Sequence, residues 1–453
     1  MTPEKPLPFY HGTGAVPYDL FTGRDDLRDR FANLTWNRSD QRQDYIMVIE
    51  GRASFGKSSF AKWCKEAAIK NSPDNSVMVA LSSLSVEASP QIISREAFYK
   101  FLSDEFYKNF STIVETKKIK WRFKQARLNV GRFIEKLHEI ELGNWNVTKL
   151  FKFAPRNPAA FFKFIDKLNA YAKSKMKAYV IILDNVSLSE KGPQLCGELL
   201  MALHERNESG GWAPDFPNVV LILLPLPKWD EAETGAGLTL AGAGAKRRAD
   251  KLEKLAAFDI VEVDSFVRGQ CAKTDWRYDN ERFIPSLYYM SGGIPILLQQ
   301  IGYAACEESR TRNSFDLSSN DVMAAIRSAE LNAERSAKLK ANIKNAIRDT
   351  LGFKHEMYLE TEEDKKILPM FYRIQHSDQV DWGGTIPNVI TGMPKDAWKR
   401  QVLAKSSKNR SCEESFSKLW SALVKHGVIL QRDGDYHFCA EVVRRYLNQF
   451  DPQ

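Results

Sequence analysis

The sequence predicts an α/β fold with a doubly wound parallel sheet, followed by a helical segment and a small winged-helix module. Three observations predict it. Short, continuous apolar runs alternate with helical stretches over residues 20–268, and strands apolar on both faces belong to a sheet covered on both sides. Strand signals fade after residue 268. Residues 416–450 then read as a helix, two strands joined at Asp433-Gly434 and a closing helix, and Asp-Gly between alternating strands marks a hairpin.

The elements follow in order. Residues 1–20 form an extended arm, and "LFTGRDDLRDRFANL" (20–34) spaces Leu27, Phe31 and Leu34 as a one-faced surface helix. "YIMVIE" (45–50) is a first strand, and "KSSFAKWCKEAAIKN" (57–71) is a helix with Phe60, Trp63, Cys64 and Ala67 on one stripe. "SVMVALSSLSV" (76–86) gives a second strand, with helical pattern after it to about residue 110. A basic, aromatic insertion occupies about residues 112–150. An amphipathic helix (158–175) leads into a third strand, "AYVIILDN" (178–185). A further helix (194–207) precedes a fourth strand, "NVVLILLPL" (218–226). "FDIVEVDSF" (258–266) reads as the fifth, and the glycine- and alanine-rich residues 233–251 before it read as a mobile loop. The domains expected are an arm (1–20), an α/β core (21–268), a helical lid (269–350) broken at Gly292-Gly293, and a winged helix (351–453).

Composition narrows the function classes. A chain of 453 residues exceeds one core. No apolar run approaches the roughly 20 residues of a membrane helix, and the first residues lack a secretory pattern. Six scattered cysteines form no CxxC pair, and the seven histidines are dispersed, so reduced thiols in a cytoplasm are expected rather than disulfides or a zinc site. The net charge of +8 is compatible with a polyanionic partner without requiring one.

The chemistry concentrates at residues 46–60, "IMVIEGRASFGKSSF", which fit G-x-x-x-x-G-K-[ST]. Gly51 and Gly56 let the backbone turn so that the N–H groups of Arg52, Ala53, Ser54, Phe55 and their neighbours can cradle phosphate oxygens. Lys57 would reach the β/γ-phosphates, Ser58 would ligate Mg²⁺, and Ser59 continues the helix whose positive end faces the anion. The match lies between an expected strand and an expected helix, the context the motif requires. ATP with Mg²⁺ is the expected ligand. Such a site needs an acid at the end of a neighbouring strand, and Asp184 of "YVIILDN" supplies it as second metal ligand. Asn185 follows where hydrolytic relatives carry a second acid, and an amide cannot act as general base. Glu190, Glu50 or a residue from a partner subunit are the substitutes available.

These residues resemble the signal-transduction P-loop ATPases (the STAND class) and the AAA+ ATPases of replication origins. "FTGRDDLRDRF" is similar to the glycine-arginine box ahead of the phosphate loop, "VIILDNV" to the "LDDV" of NB-ARC proteins, and "SGGIPILLQQI" (291–301) to the lid motif whose proline, here Pro295, contacts the base. The resemblance implies an ATPase with a P-loop NTPase core, a helical lid and a winged helix, and Asn185 in place of the second acid makes slow hydrolysis the expectation. Two departures stand out. The fourth strand ends "LLPLP" without a polar sensor, and no repeat sensor follows the winged helix.

The resemblance further implies a nucleotide switch controlling oligomerisation or engagement of a sensor or effector protein, with prokaryotic antiviral defence or mobile-element control as analogous settings. Two other readings stay open: a DNA-binding ATPase, and a nucleotide-stabilised scaffold that does not hydrolyse. For DNA, the basic run "KDAWKRQVLAKSSKNR" (395–410) offers Lys399, Arg400, Lys405 and Lys408 to phosphates, or else the module serves internal packing or protein contact. The segment 117–133 could stack single-stranded bases on Trp121 and Phe123, or pack as an amphipathic helix. Arg247 and Arg248 are candidates to reach a neighbouring subunit's γ-phosphate, or solvated loop residues.

Overall fold

A computed structural model of the chain describes residues 6–10, 12, 14–37, 45–72, 76–84, 94–118, 155–171, 176–186, 192–208, 218–225, 251–330, 341, 358–372, 392–404, 410–432 and 434–448. The insertion beyond residue 118, Glu190, Arg247, Arg248, Lys405 and Lys408 lie outside the described residues. By contact the chain divides into two units, Arg24–Gly51 with Lys57–Leu255, and Met1–Gly23 with Arg52–Gly56 and Ala256–Gln453.

The first unit is an α/β sandwich. Its strands are β1 (Tyr45–Gly51), β2 (Val77–Ser83), β3 (Ala178–Asp184), β4 (Val219–Leu224) and β5 (Lys251–Leu255). They form one parallel sheet in the order β2-β3-β4-β1-β5. β3 and β4 are buried along their whole length, as their unbroken apolar sequences require of central strands. The helices are α1 (Asp25–Leu34), α2 (Lys57–Asn71), α3 (Arg95–Lys118), α4 (Pro158–Tyr171) and α5 (Gly192–Glu208). Phe98, Tyr99 and Phe106 of α3 and Phe161 and Ile165 of α4 share a core with β2 and β3 residues such as Met78, Ile181 and Leu183. Phe31 of α1 meets Trp63 of α2 edge-on at 6.0 Å, which fixes α1 by the face its periodicity marked.

The fifth strand corrects the sequence reading. Residues 258–266 are not a strand: Asp259 caps a helix, α6 (Ile260–Cys271), in a reciprocal capping box with Glu262. Val263, Phe266, Val267, Gln270 and Cys271 fall at helical spacing and are buried. The strand is "KLEKL", which begins at the last residue of the stretch expected to be a mobile loop. As an edge strand with β1 its only neighbour among the described residues, it tolerates charge, and Glu253 pairs with Arg30 of α1.

The second unit contains α6, α7 (Phe283–Ser291), α8 (Pro295–Thr311) and α9 (Ser319–Glu330), with a two-residue parallel pairing of β6 (Arg277–Tyr278) and β7 (Asp316–Leu317). It continues through α10 (Glu362–Tyr372), α11 (Lys395–Ala404), α12 (Arg410–Lys425), the hairpin β8 (Ile429–Arg432)/β9 (Asp435–Phe438) and α13 (Glu441–Asn448). Three helices, a two-stranded wing and a closing helix make the winged-helix arrangement. One apolar core runs through both parts, with Phe266, Leu298, Phe371, Trp398, Trp420 and Phe438 among its members. α7 stops at Gly292, and Pro295 starts α8 in its first turn, where its missing N–H costs nothing.

The N-terminal arm belongs to this unit and is gripped mostly by its main chain. Trp276 Nε1 donates to the Pro6 carbonyl at 3.2 Å, the Tyr10 N–H donates to Gln299 Oε1 at 2.6 Å, and Gln300 Nε2 donates to the Gly12 carbonyl at 2.9 Å. Gln270 Nε2 reaches the Leu20 carbonyl at 2.6 Å. The Phe9 ring lies where a Cβ on Gly302 would stand 2.6 Å from it.

Candidate phosphate-loop site

The loop leaves β1 at Gly51, packed so closely on β5 that an added Cβ would stand 2.9 Å from that of Leu255. The loop then takes two left-handed residues, Ser54 (φ 65°) and Gly56 (φ 96°). A Cβ on Gly56 would meet nothing within 4 Å, so conformation, not space, calls for glycine there. α2 starts at Lys57 and runs through Ser58 and Ser59.

Lys57, Ser58 and Asp184 come together at the carboxyl ends of the strands. The buried Lys57 ammonium donates to the Gly51 carbonyl at the start of the loop. Ser58 Oγ donates to Asp184 Oδ2 at 2.6 Å. Burial pushes the Lys57 amine down to about 8, against the raising effect of Asp184. Burial likewise raises the Asp184 carboxyl, opposed by the Ser58 hydrogen bond, the Lys57 charge and the Asn185 N–H. A serine hydroxyl beside a carboxylate is a pair of hard oxygen donors, the chemistry Mg²⁺ takes.

Asn185 sits in the left-handed region (φ 58°), which asparagine tolerates better than most residues. Its N–H donates to Asp184 Oδ1 at 2.9 Å, and its Nδ2 donates to Ser83 Oγ at 3.2 Å. Ser83 ends β2 in register with Asp184, so neighbouring strands hold the amide. Sequence reasoning did not single out Ser83; two serines closing a buried strand were its only signal.

Two other loop residues are engaged within the second unit. Phe55 packs against its apolar core, and Arg52 Nη1 donates to the His426 carbonyl at 2.6 Å. Burial lowers the Arg52 guanidinium from its usual value. His426 Nε2 shares a 2.6 Å hydrogen bond with Tyr358 Oη. Arg52 was expected only to lend its N–H to phosphate. The readable signal for its partner was His426-Gly427 at the end of an amphipathic helix, a C-cap signature. Pro295 lies in this unit too, with α8. Lys399 and Arg400 lie on α11; Lys399 pairs with Glu413 at 3.2 Å, and Arg400 is exposed.

No protein-family model matches the chain, and no curated protein does. Three solved structures align with most of the chain at low sequence identity. The ORC2 protein of Aeropyrum pernix, solved in ADPNP-ADP complexes, aligns over 94% of each chain at 12% identity and a TM-score of 0.48. The Walker-type ATPase of Pyrococcus abyssi aligns over 96% of this chain and 99% of its own at 16% identity and 0.47. The RuvB branch-migration motor of Thermotoga maritima aligns over 92% of each at 11% and 0.35.

Proposed function

We propose that the chain is an ATP-binding switch protein whose nucleotide state controls oligomerisation or engagement of a partner protein, with slow hydrolysis. One observation carries the reading: Lys57, Ser58 and Asp184 converge where a phosphate loop leaves a parallel sheet. Ligands of open α/β sheets bind outside the carboxyl ends of the strands. Lys57 and the α2 N-terminus supply positive charge to the phosphates, while Ser58 and Asp184 would hold Mg²⁺, which would neutralise charge between phosphates.

Slow turnover follows from Asn185. Its amide has no basic atom to take a proton from water, and Ser83 holds its nitrogen end. Ligand exchange, rather than rapid hydrolysis, then sets the lifetime of each state.

The winged helix is read as a protein-contact module in preference to a DNA reader. The exposed face of α12 carries Glu413 and Glu414, and three nearby cations are matched: Lys399 to Glu413, Arg410 to Glu414 at 2.9 Å, and Lys418 to Glu360 and Asp364. Carboxylates on that helix repel phosphates. Among the described residues no helix is long and apolar enough to cross a membrane. Calorimetry of the full chain with Mg-ATP and Mg-ADP, followed by sizing in each state, tests the proposal. Absence of binding to either nucleotide would remove it.

A further inference from the structure

α12 ends in a Schellman motif. Gly427 takes the left-handed conformation (φ 65°), its N–H donates to the Val424 carbonyl, and the Val428 N–H donates to the Leu423 carbonyl, both at 2.9 Å. The turn thus serves the carbonyls of Leu423 and Val424 and leaves that of His426 pointing past the helix end. There it receives Arg52. A helix C-terminus carries about half a negative charge, so a guanidinium is the natural occupant. Gly427 is required for the approach, since a Cβ on it would stand 1.6 Å from Arg52 Nη1.

Arg52 is also the residue that follows Gly51 in the phosphate loop, where a nucleoside triphosphate would bring two or more full negative charges. A half charge on a helix end competes poorly with that. We propose that Arg52 is a positioning residue with two alternative seats, the His426 carbonyl that it meets here and the phosphate oxygens of a triphosphate bound in the loop. Filling the loop thereby frees the C-terminus of α12 and the wing that follows. The proposal rests on the nucleotide-binding reading above and names the residue through which that site acts on the winged helix. Tyr358 holds the His426 ring through its own hydrogen bond, so the release is local to the helix end and need not unfold it.

Amide exchange over residues 424–430 of the full chain tests it. In the wild type these amides should lose protection by roughly 10- to 100-fold on saturating Mg-ATP, the equivalent of one hydrogen bond to a charged group. Tripolyphosphate with Mg²⁺ should act likewise, since charge drives the exchange of seats. Arg52→Ala should show the low protection without ligand and respond less than twofold to Mg-ATP, with Arg52→Lys intermediate. His426→Ala retains the carbonyl and should keep the wild-type response. Wild-type protection in ligand-free Arg52→Ala, its melting temperature unchanged, would overturn the tether. Nucleotide bound by calorimetry without a change at 424–430 would overturn the switching of seats. Should Mg-ATP not bind at all, the nucleotide reading fails, whereas the ligand-free comparison still decides whether Arg52 holds the helix end.

Discussion

Ser58 Oγ lies 2.6 Å from Asp184 Oδ2, so residues 126 positions apart in sequence meet as hydroxyl donor and carboxylate acceptor. The pair joins the first turn of α2 to the last residue of β3. A metal entering there would replace one proton-mediated contact by two oxygen–metal contacts, which ties metal affinity to the protonation of Asp184. Burial already raises that carboxyl, so Mg²⁺ binding should weaken at mildly acidic pH sooner than an ordinary aspartate would dictate.

Lys57→Ala should weaken Mg-ATP binding by roughly 10- to 100-fold, the loss of a charge-assisted contact to phosphate. Calorimetry on the folded variant measures it. Unchanged affinity would remove the phosphate-loop assignment.

Affinity for ATP should fall with alkalinity. Burial pushes the Lys57 amine down to about 8, and phosphates favour its charged form. At pH 6–7 the amine is charged in both states and contributes no dependence of its own. Near pH 9 it is mostly neutral before binding, so ATP should take up about one proton, and affinity should drop by up to tenfold per pH unit. Calorimetry in buffers of different ionisation heat reads this directly. The same depressed value means that the unfolded chain holds more protons than the folded one above pH 8, so this lysine's contribution to stability rises from there toward its ordinary value near 10.4.

Wild-type turnover should be below about 1 per second, the low end of ordinary enzymes. Asn185→Asp should raise it, because aspartate keeps the left-handed backbone and adds a carboxylate in the same place. Asn185→Glu supplies the acid but strains the backbone by about 1 kcal/mol. Phosphate release from the three proteins orders them; a fast wild type would refute the role given to Asn185.

Duplex DNA should be bound weakly and with little salt dependence. Were Lys399 and Arg400 alone to touch phosphates, log affinity against log salt would slope no more steeply than about −2. A slope of about −3 to −4, flattened by changing Lys399, Arg400, Lys405 and Lys408 to Gln, would instead establish a phosphate contact for all four.

Gly293→Ala should lower stability by at least about 2 kcal/mol, from left-handed strain and a clash with fixed main chain. Its Cβ would stand 2.0 Å from the Phe258 carbonyl oxygen, at φ 71°. A melting temperature unchanged by calorimetry would show that the α7–α8 break relaxes freely.

The motif at Gly51–Ser58 was legible because its residues are neighbours in sequence, and the acid Asp184 because a buried apolar run ends in it. Ser83 and the Arg52–His426 contact were not, since each depends on which strands or helix ends become neighbours in space. The fifth strand misled for a different reason. "FDIVEVDSF" shows an alternation of apolar residues, yet Asp259 and Glu262 spell a capping box that decides for a helix, while the strand itself is mostly charged, as suits a strand at the edge of the described sheet. Local spacing fixes a helix more firmly than an edge strand.

The grip on the N-terminal arm sets a schedule for synthesis. Tyr10 and Gln299 are 289 residues apart in the chain, and the other arm contacts are comparably distant. At the usual ribosomal rate of 5–20 residues per second, the arm waits roughly 15 to 60 s for the helices that hold it. During that interval Phe9 and its neighbours have no pocket, and the α/β unit, complete at Leu255, can fold first. The arm therefore docks late, as a fastening added to helices made after it, and a chaperone that binds extended aromatic segments would find it available for that window.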